Sequence, residues 1–85
     1  MSVQFTKKFQ KQYKKAPVEI TDKFNKRLQI FIDDEFDSLL NNHALTGVYS
    51  GYRSINITGD WRAIYRKSGD LAIFEALGTH SQLYR

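Results

Sequence analysis

Hydrophobic and polar positions change their period twice along this chain. Ser2 to Phe5 alternates polar and apolar residues, the spacing of a short edge strand. From Thr6 the apolar positions widen to steps of three and four, with Phe9 and Tyr13 in one narrow stripe and Ile20, Phe24, Leu28 and Phe31 in a second. Thr6 suits the N-cap of the first helix. Pro17 interrupts the run and, having no N–H to satisfy, is placed to begin the second helix. That helix is expected to reach about Asp34, because Glu35 to Asn42 brings acids to the negative end of the helix dipole and then an Asn pair. A loop carrying His43 follows and ends at Gly47.

Strand periodicity returns in the last third. Tyr52 to Ile57, Trp61 to Lys67 and Leu71 to Leu77 read as strands, with Thr58-Gly59-Asp60 and Ser68-Gly69-Asp70 as turns between them. Connections this short force antiparallel neighbours, which predicts a three-stranded meander whose last strand runs into Gly78-Thr79-His80. The expected order is β-α-α-β-β-β with a C-terminal turn. This is one α+β domain over residues 1–85, a helical hairpin packed on one face of an antiparallel sheet. Alternation turns Ile55, Ile57, Trp61, Ala63 and Tyr65 toward the helices and Ser54, Asn56, Arg62, Ile64 and Arg66 away from them. The second set predicts a polar, basic groove near His80. Arg53 falls on the apolar side, where a structural pairing fits it better than an RNA contact.

Composition sharpens the picture in a few respects. A chain of 85 residues has a thin core and gains from a partner that covers part of it. A net charge of +4 and a pI near 9.5 point to an anionic partner, nucleic acid first. Lys7, Lys8, Lys11, Lys14 and Lys15 place much of that charge on the first helix, as phosphate contacts or as a solvated face. Cysteine is absent, which excludes a disulfide framework and thiol chemistry. No run is apolar enough for a signal peptide or a bilayer span, so a cytoplasmic location and no membrane partner are expected. Asp33, Asp34, Glu35 and Asp37 lack the loop spacing or convergent histidine of a metal site and read as surface charge; no metal and no cofactor is expected.

The run from His43-Ala44-Leu45 through Gly51-Tyr52-Arg53, Gly59-Asp60-Trp61-Arg62-Ala63-Ile64-Tyr65 and Gly78-Thr79-His80-Ser81-Gln82-Leu83-Tyr84 resembles the RelE/ParE superfamily of bacterial type II toxins, YafQ-type branch. The resemblance covers roughly residues 43 to 84 by motif. It implies a messenger-RNA endonuclease that acts on the ribosome and is neutralised by a co-expressed antitoxin. His43, Asp60, His80 and Tyr84 match residues of the YafQ-type active site, and Arg62 stands where other RelE-like toxins keep a phosphate-contacting arginine. The chain departs from the pattern at Ser54 and Asn56, where that branch has Asp and His.

Elementary chemistry agrees with part of this. RNA cleavage without a metal needs a base for the 2′-OH proton, an acid for the leaving 5′-oxygen, and positive charge against the phosphorane. Histidine suits both proton roles, and the chain has two. The catalytic candidates are therefore His80, His43, Asp60, Arg62 and Tyr84, with Arg66, Lys67, Asn56, Ser54 and Lys11 as RNA contacts. Plainer readings stand beside these: Asp60 as a turn residue, Trp61 and Tyr65 as core, Tyr84 packed on the sheet. Two other functions also stay open, a ParE-like toxin that inhibits DNA gyrase without catalysis and a catalytically weak RNA-binding relative.

Overall fold

The computed structural model describes residues 1–84. Strand β1 (Ser2–Phe5) leads into α1 (Lys7–Lys15) and α2 (Val18–Asp33). The short strand β2 (His43–Ala44) precedes β3 (Arg53–Asn56), β4 (Trp61–Ser68) and β5 (Leu71–Thr79), and the chain closes with α3 (His80–Leu83). The sheet order is β1-β5-β4-β3-β2. The β3-β4-β5 meander is antiparallel, as its short turns require.

Three features depart from the sequence expectation. The β1 strand pairs parallel to β5, Ser2 with Leu71 through Phe5 with Phe74, so the sheet is mixed. His43 sits in a strand rather than a loop, because His43 and Ala44 pair with Ser54 and Arg53 at the free edge of β3. The C-terminal turn is a helix, whose N-cap Thr79 and Gln82 form a reciprocal capping box.

Thr6 caps α1 as expected, its hydroxyl accepting from Phe9 N–H at 3.1 Å. That hydroxyl also donates to the Glu75 carbonyl at 3.2 Å, and Gln12 Oε1 accepts from Leu77 N–H at 2.8 Å. Both bonds serve a bulge in β5. Ile64 pairs with Ala76 but Tyr65 with Phe74, leaving Glu75 unmatched. The extra residue reverses the alternation, so Phe74 and Leu77 both enter the helix-side core.

That core joins Phe9, Phe24 and Phe31 of the helices to Ile55, Ile57, Tyr65 and Phe74 of the sheet. Its rings meet edge to face or tilted, with centroids 4.8 Å apart for Phe31 and Tyr65, 5.2 Å for Phe9 and Phe24 and 5.6 Å for Phe24 and Phe74. Beside it, the segment between α2 and β2 is held by a polar chain. The Tyr65 hydroxyl donates to Glu35 Oε2 at 2.6 Å and accepts from Asn42 Nδ2 at 2.7 Å. Lys67 Nζ reaches Glu35 Oε1 at 3.0 Å, and Arg53 Nε donates to Asn42 Oδ1 at 2.8 Å. Arg53 also lies 5.2 Å over the Phe36 ring, the structural pairing that its register predicts.

The second face of the sheet is less open than its polar residues suggest. Ile64, Ala76 and Leu83 form a small core there, roofed by Leu45, Tyr49, Tyr52 and Tyr84. The expected groove is therefore confined to the ends and edge of this face.

Candidate active site

The turn between β3 and β4 and the end of β5 are tied together by the backbone. Thr58 Oγ1 accepts from the N–H groups of Asp60 at 3.2 Å and Trp61 at 3.0 Å, which closes the turn. His80 N–H then donates to the Asp60 carbonyl at 2.9 Å. Asp60 is thereby fixed beside the first residue of α3, although both side chains remain exposed. Gly78 makes this approach possible. A Cβ there would lie 3.1 Å from Gln82 Oε1 and 3.3 Å from Leu83 Cδ2, so glycine gives α3 the room to fold down on β5 without displacing those side chains.

Arg62 lies on the second face, paired with Asn56 on one side and Gly78 on the other. Its Nη1 donates to the carbonyls of Thr58 at 3.0 Å and Trp61 at 3.3 Å. These bonds hold the guanidinium at the same end of the sheet as His80. Its Nε and Nη2 donate to no described residue, so donors are left for an anion.

The His80 ring packs 4.8 Å from the Tyr84 ring, which in turn meets Tyr49 edge-on at 6.2 Å, and Tyr49 meets Tyr52 at 5.9 Å. The tyrosines thus support one side of the histidine. Tyr49 and Tyr52 are site neighbours that no periodic pattern marks; the only signal is their place around Gly51, directly before a strand.

His43 approaches from the other edge. Its pairing with Ser54 puts it on the face of Arg62, and its Nδ1 lies 2.9 Å from the Asn41 carbonyl. A carbonyl only accepts, so the N–H on Nδ1 faces it and Nε2 is the ring nitrogen turned away. Strand spacing of about 4.8 Å puts ~14 Å across the sheet between β2 and β5, and the register leaves His43 level with Ala76, short of His80, so the two histidines lie beyond hydrogen-bond reach of each other.

Three polar atoms on this face are buried without a partner among the described residues: Ser54 Oγ, Asn56 Oδ1 and the Tyr84 hydroxyl. None of the three is open to solvent, and Ser54 is wholly buried, so the RNA contact expected of Ser54 is closed off in this structure. Arg66 shares the face but stands exposed further along β4, level with Ile73. Lys67 and Lys11 are not part of the assembly. Lys67 alternates to the helix side and pairs with Glu35, and Lys11 is exposed on α1 across the sheet from Arg62. The acids beyond α2 are likewise engaged locally, Asp34 Oδ1 accepting from Phe36 N–H and Asp37 Oδ1 from Leu39 N–H.

A family model described as a bacterial toxin of type II toxin-antitoxin system, YafQ, matches residues 1–85. The mRNA interferase toxin YafQ of Escherichia coli strain K12 is 36% identical over 47 residues, 55% of this chain and 51% of that protein. The match thus spans about half the length of the curated relative. Among solved structures, YafQ from E. coli strain BL21(DE3) superimposes with a TM-score of 0.85 at 24% identity, covering 99% of this chain and 98% of the other. A chain of the E. coli DinJ-YafQ toxin-antitoxin complex does so with a TM-score of 0.81 at 25% identity, covering 99% and 97%. With the whole length matched by the family model and the fold shared, the chain belongs to the YafQ family of toxins of bacterial type II toxin-antitoxin systems.

Proposed function

We propose that this protein is a ribosome-dependent endoribonuclease that cuts messenger RNA by metal-free acid-base catalysis and so inhibits translation. The observation that carries this reading is the fixing of Arg62, Asp60 and His80 at one end of the second face, by the Arg62 bonds to Thr58 and Trp61 and the His80 bond to Asp60. In the reaction the 2′-oxygen attacks the adjacent phosphorus and gives its proton to an imidazole. The P–O5′ bond breaks, and O5′ takes a proton from the second group, leaving a 2′,3′-cyclic phosphate and a 5′-hydroxyl. Nε2 of His43, the ring nitrogen turned away from the Asn41 carbonyl, takes the role of base, and His80 supplies the other proton transfer. Arg62 faces the charge that develops on the phosphorane, with Asp60 orienting His80 or the RNA. Tyr84 backs His80, and Arg66 and Asn56 offer contacts to the RNA chain.

The partners follow from the same reading. A ribosome-bound message is the substrate, the cytoplasm the place of action, and a co-expressed antitoxin the neutralising protein; the DinJ-YafQ complex of E. coli supports the last. Among the described residues no helix is long and apolar enough to cross a membrane.

The test is induced expression of the wild type and of His80→Ala, with primer extension on a reporter message. Growth arrest with codon-phased cuts, both lost in the variant, is expected. Arrest that persists in the variant without cuts would overturn the reading in favour of gyrase inhibition.

A further inference from the structure

The chain's one tryptophan lines a cleft that the proposed catalysis does not use. This cleft, of about 300 Å³, is bounded by Gln12, Lys15 and Ala16 of α1, Trp61 of β4, Leu77 of β5 and Gln82 of α3. Its free polar groups are donors. Gln12 Oε1 is occupied by Leu77 N–H and Gln82 Oε1 by Thr79 N–H, each at 2.8 Å. With both oxygens turned to the backbone of β5, both side-chain NH2 groups are left over, and no described residue accepts from them. Lys15 is exposed in the last turn of α1, and the ion pairs among the described residues, Met1 with Asp70 and Lys67 with Glu35, do not include it. Two amide donors and an ammonium around a half-buried indole suit an anionic, acceptor-rich ligand that carries a flat ring.

Position connects this cleft to the catalytic candidates. Trp61 follows Asp60 and pairs with Thr79, the residue before His80. Gln82 lies on the same short helix that begins with His80. The cleft and the Arg62 face are thus on two sides of one sheet end. An RNA strand with a phosphate at Arg62 and His80 that continues over this end brings its next nucleotide to Trp61.

We infer that the cleft is a subsite for a nucleotide flanking the scissile phosphate, the base stacking on Trp61 while Lys15 and the Gln12 and Gln82 amides meet its phosphate and its base or ribose oxygens. The inference rests on the endonuclease reading above. The probe is a 2′-O-methyl RNA hexanucleotide, which has no free 2′-hydroxyl to attack the phosphate. Titrating it into the purified protein while exciting tryptophan alone is expected to give saturable quenching. Lys15→Ala should weaken binding about threefold and Lys15→Glu about tenfold or more, with a salt dependence shallower by about one ion. Lys15 is exposed, so neither variant threatens the fold. Absence of quenching, or quenching unchanged in Lys15→Glu, overturns the subsite. Messages cut without quenching would remove the subsite and leave the nuclease. Quenching that Lys15→Glu weakens, in a protein that cuts no message, would remove the nuclease and leave a nucleotide site.

Discussion

Replacing Tyr65 by Phe isolates the polar chain that fixes the segment between α2 and β2. Tyr65 is fully buried, and phenylalanine keeps its ring in place, edge-on to Phe31 at 4.8 Å. What is lost is the hydroxyl, which donates to Glu35 at 2.6 Å and accepts from Asn42 at 2.7 Å. A hydrogen bond to a charged group contributes about 1.5–3 kcal/mol, and the carboxylate it served is left largely buried, 14% exposed, with Lys67 as its remaining side-chain partner. The expected loss is about 2–3 kcal/mol. For a domain of this size that lowers Tm by roughly 10–20 °C. Urea unfolding followed by circular dichroism reads the change as a lower midpoint at constant m-value. A double-mutant cycle with Glu35→Gln should give a coupling of about 1 kcal/mol or more. A loss below about 0.5 kcal/mol, the size of an ordinary surface substitution, would refute the reasoning.

The same group predicts how stability follows pH. Burial raises the Glu35 carboxyl, but the Tyr65 hydroxyl, Lys67 and Arg53 outweigh it and hold the pKa below the ordinary 4.5. Its contribution is therefore complete above that value and lost as pH falls through the lowered folded pKa, so Glu35→Gln should flatten the acid limb of stability against pH. Burial and the bond to Glu35 push the Tyr65 hydroxyl up, so its contribution is present below the ordinary 10.0 and lost as pH rises above it; Tyr65→Phe should remove this alkaline loss. Ser54→Ala removes a buried hydroxyl that no described residue bonds, and should leave stability unchanged or raise it by up to about 1 kcal/mol in urea unfolding. Gly78→Ala forces a Cβ to 3.1 Å from Gln82 Oε1; it should cost about 1–2 kcal/mol and slow message cleavage by displacing α3 and His80, measured by unfolding and by a reconstituted cutting assay.

Local signals in the sequence were good guides wherever one residue or one turn decides the outcome. Thr6 caps its helix, Pro17 precedes the second, and the Thr58-Gly59-Asp60 and Ser68-Gly69-Asp70 turns fall between strands as their composition implies. The faces of β3 and β4 follow alternation, because a half-buried strand cannot slip by one residue without turning its core outward. The β5 strand defeats the same rule, since the unmatched Glu75 shifts its parity and no residue type announces a bulge. The β2 strand is two residues long and shows no alternation; its existence depends on the free edge of β3. Parallel pairing of β1 is a tertiary outcome of the same kind. At the candidate site, the convergence of Asp60, Arg62 and His80 on one sheet end was legible because they lie in or beside strands whose register is set locally. Lys67 was misleading, for its basic neighbours suggest an RNA contact while its ion partner Glu35 lies 32 residues away. The tyrosine roof was hidden because Tyr49, Tyr52 and Tyr84 converge only when α3 folds over Gly78.

The central claim, that the His80 and Arg62 end of the second face performs the cut, is tested most directly by single-turnover cleavage of a ribosome-bound message at saturating protein. Saturation removes differences in binding, so the rate reports the chemistry. His80 is exposed, and His80→Ala should leave unfolding unchanged while lowering the rate about 100-fold or more, the scale of one proton-transfer group. Lys11→Ala, on α1 across the sheet, should cut at the wild-type rate. A His80→Ala protein that folds and cuts within about threefold of the wild type would contradict the account.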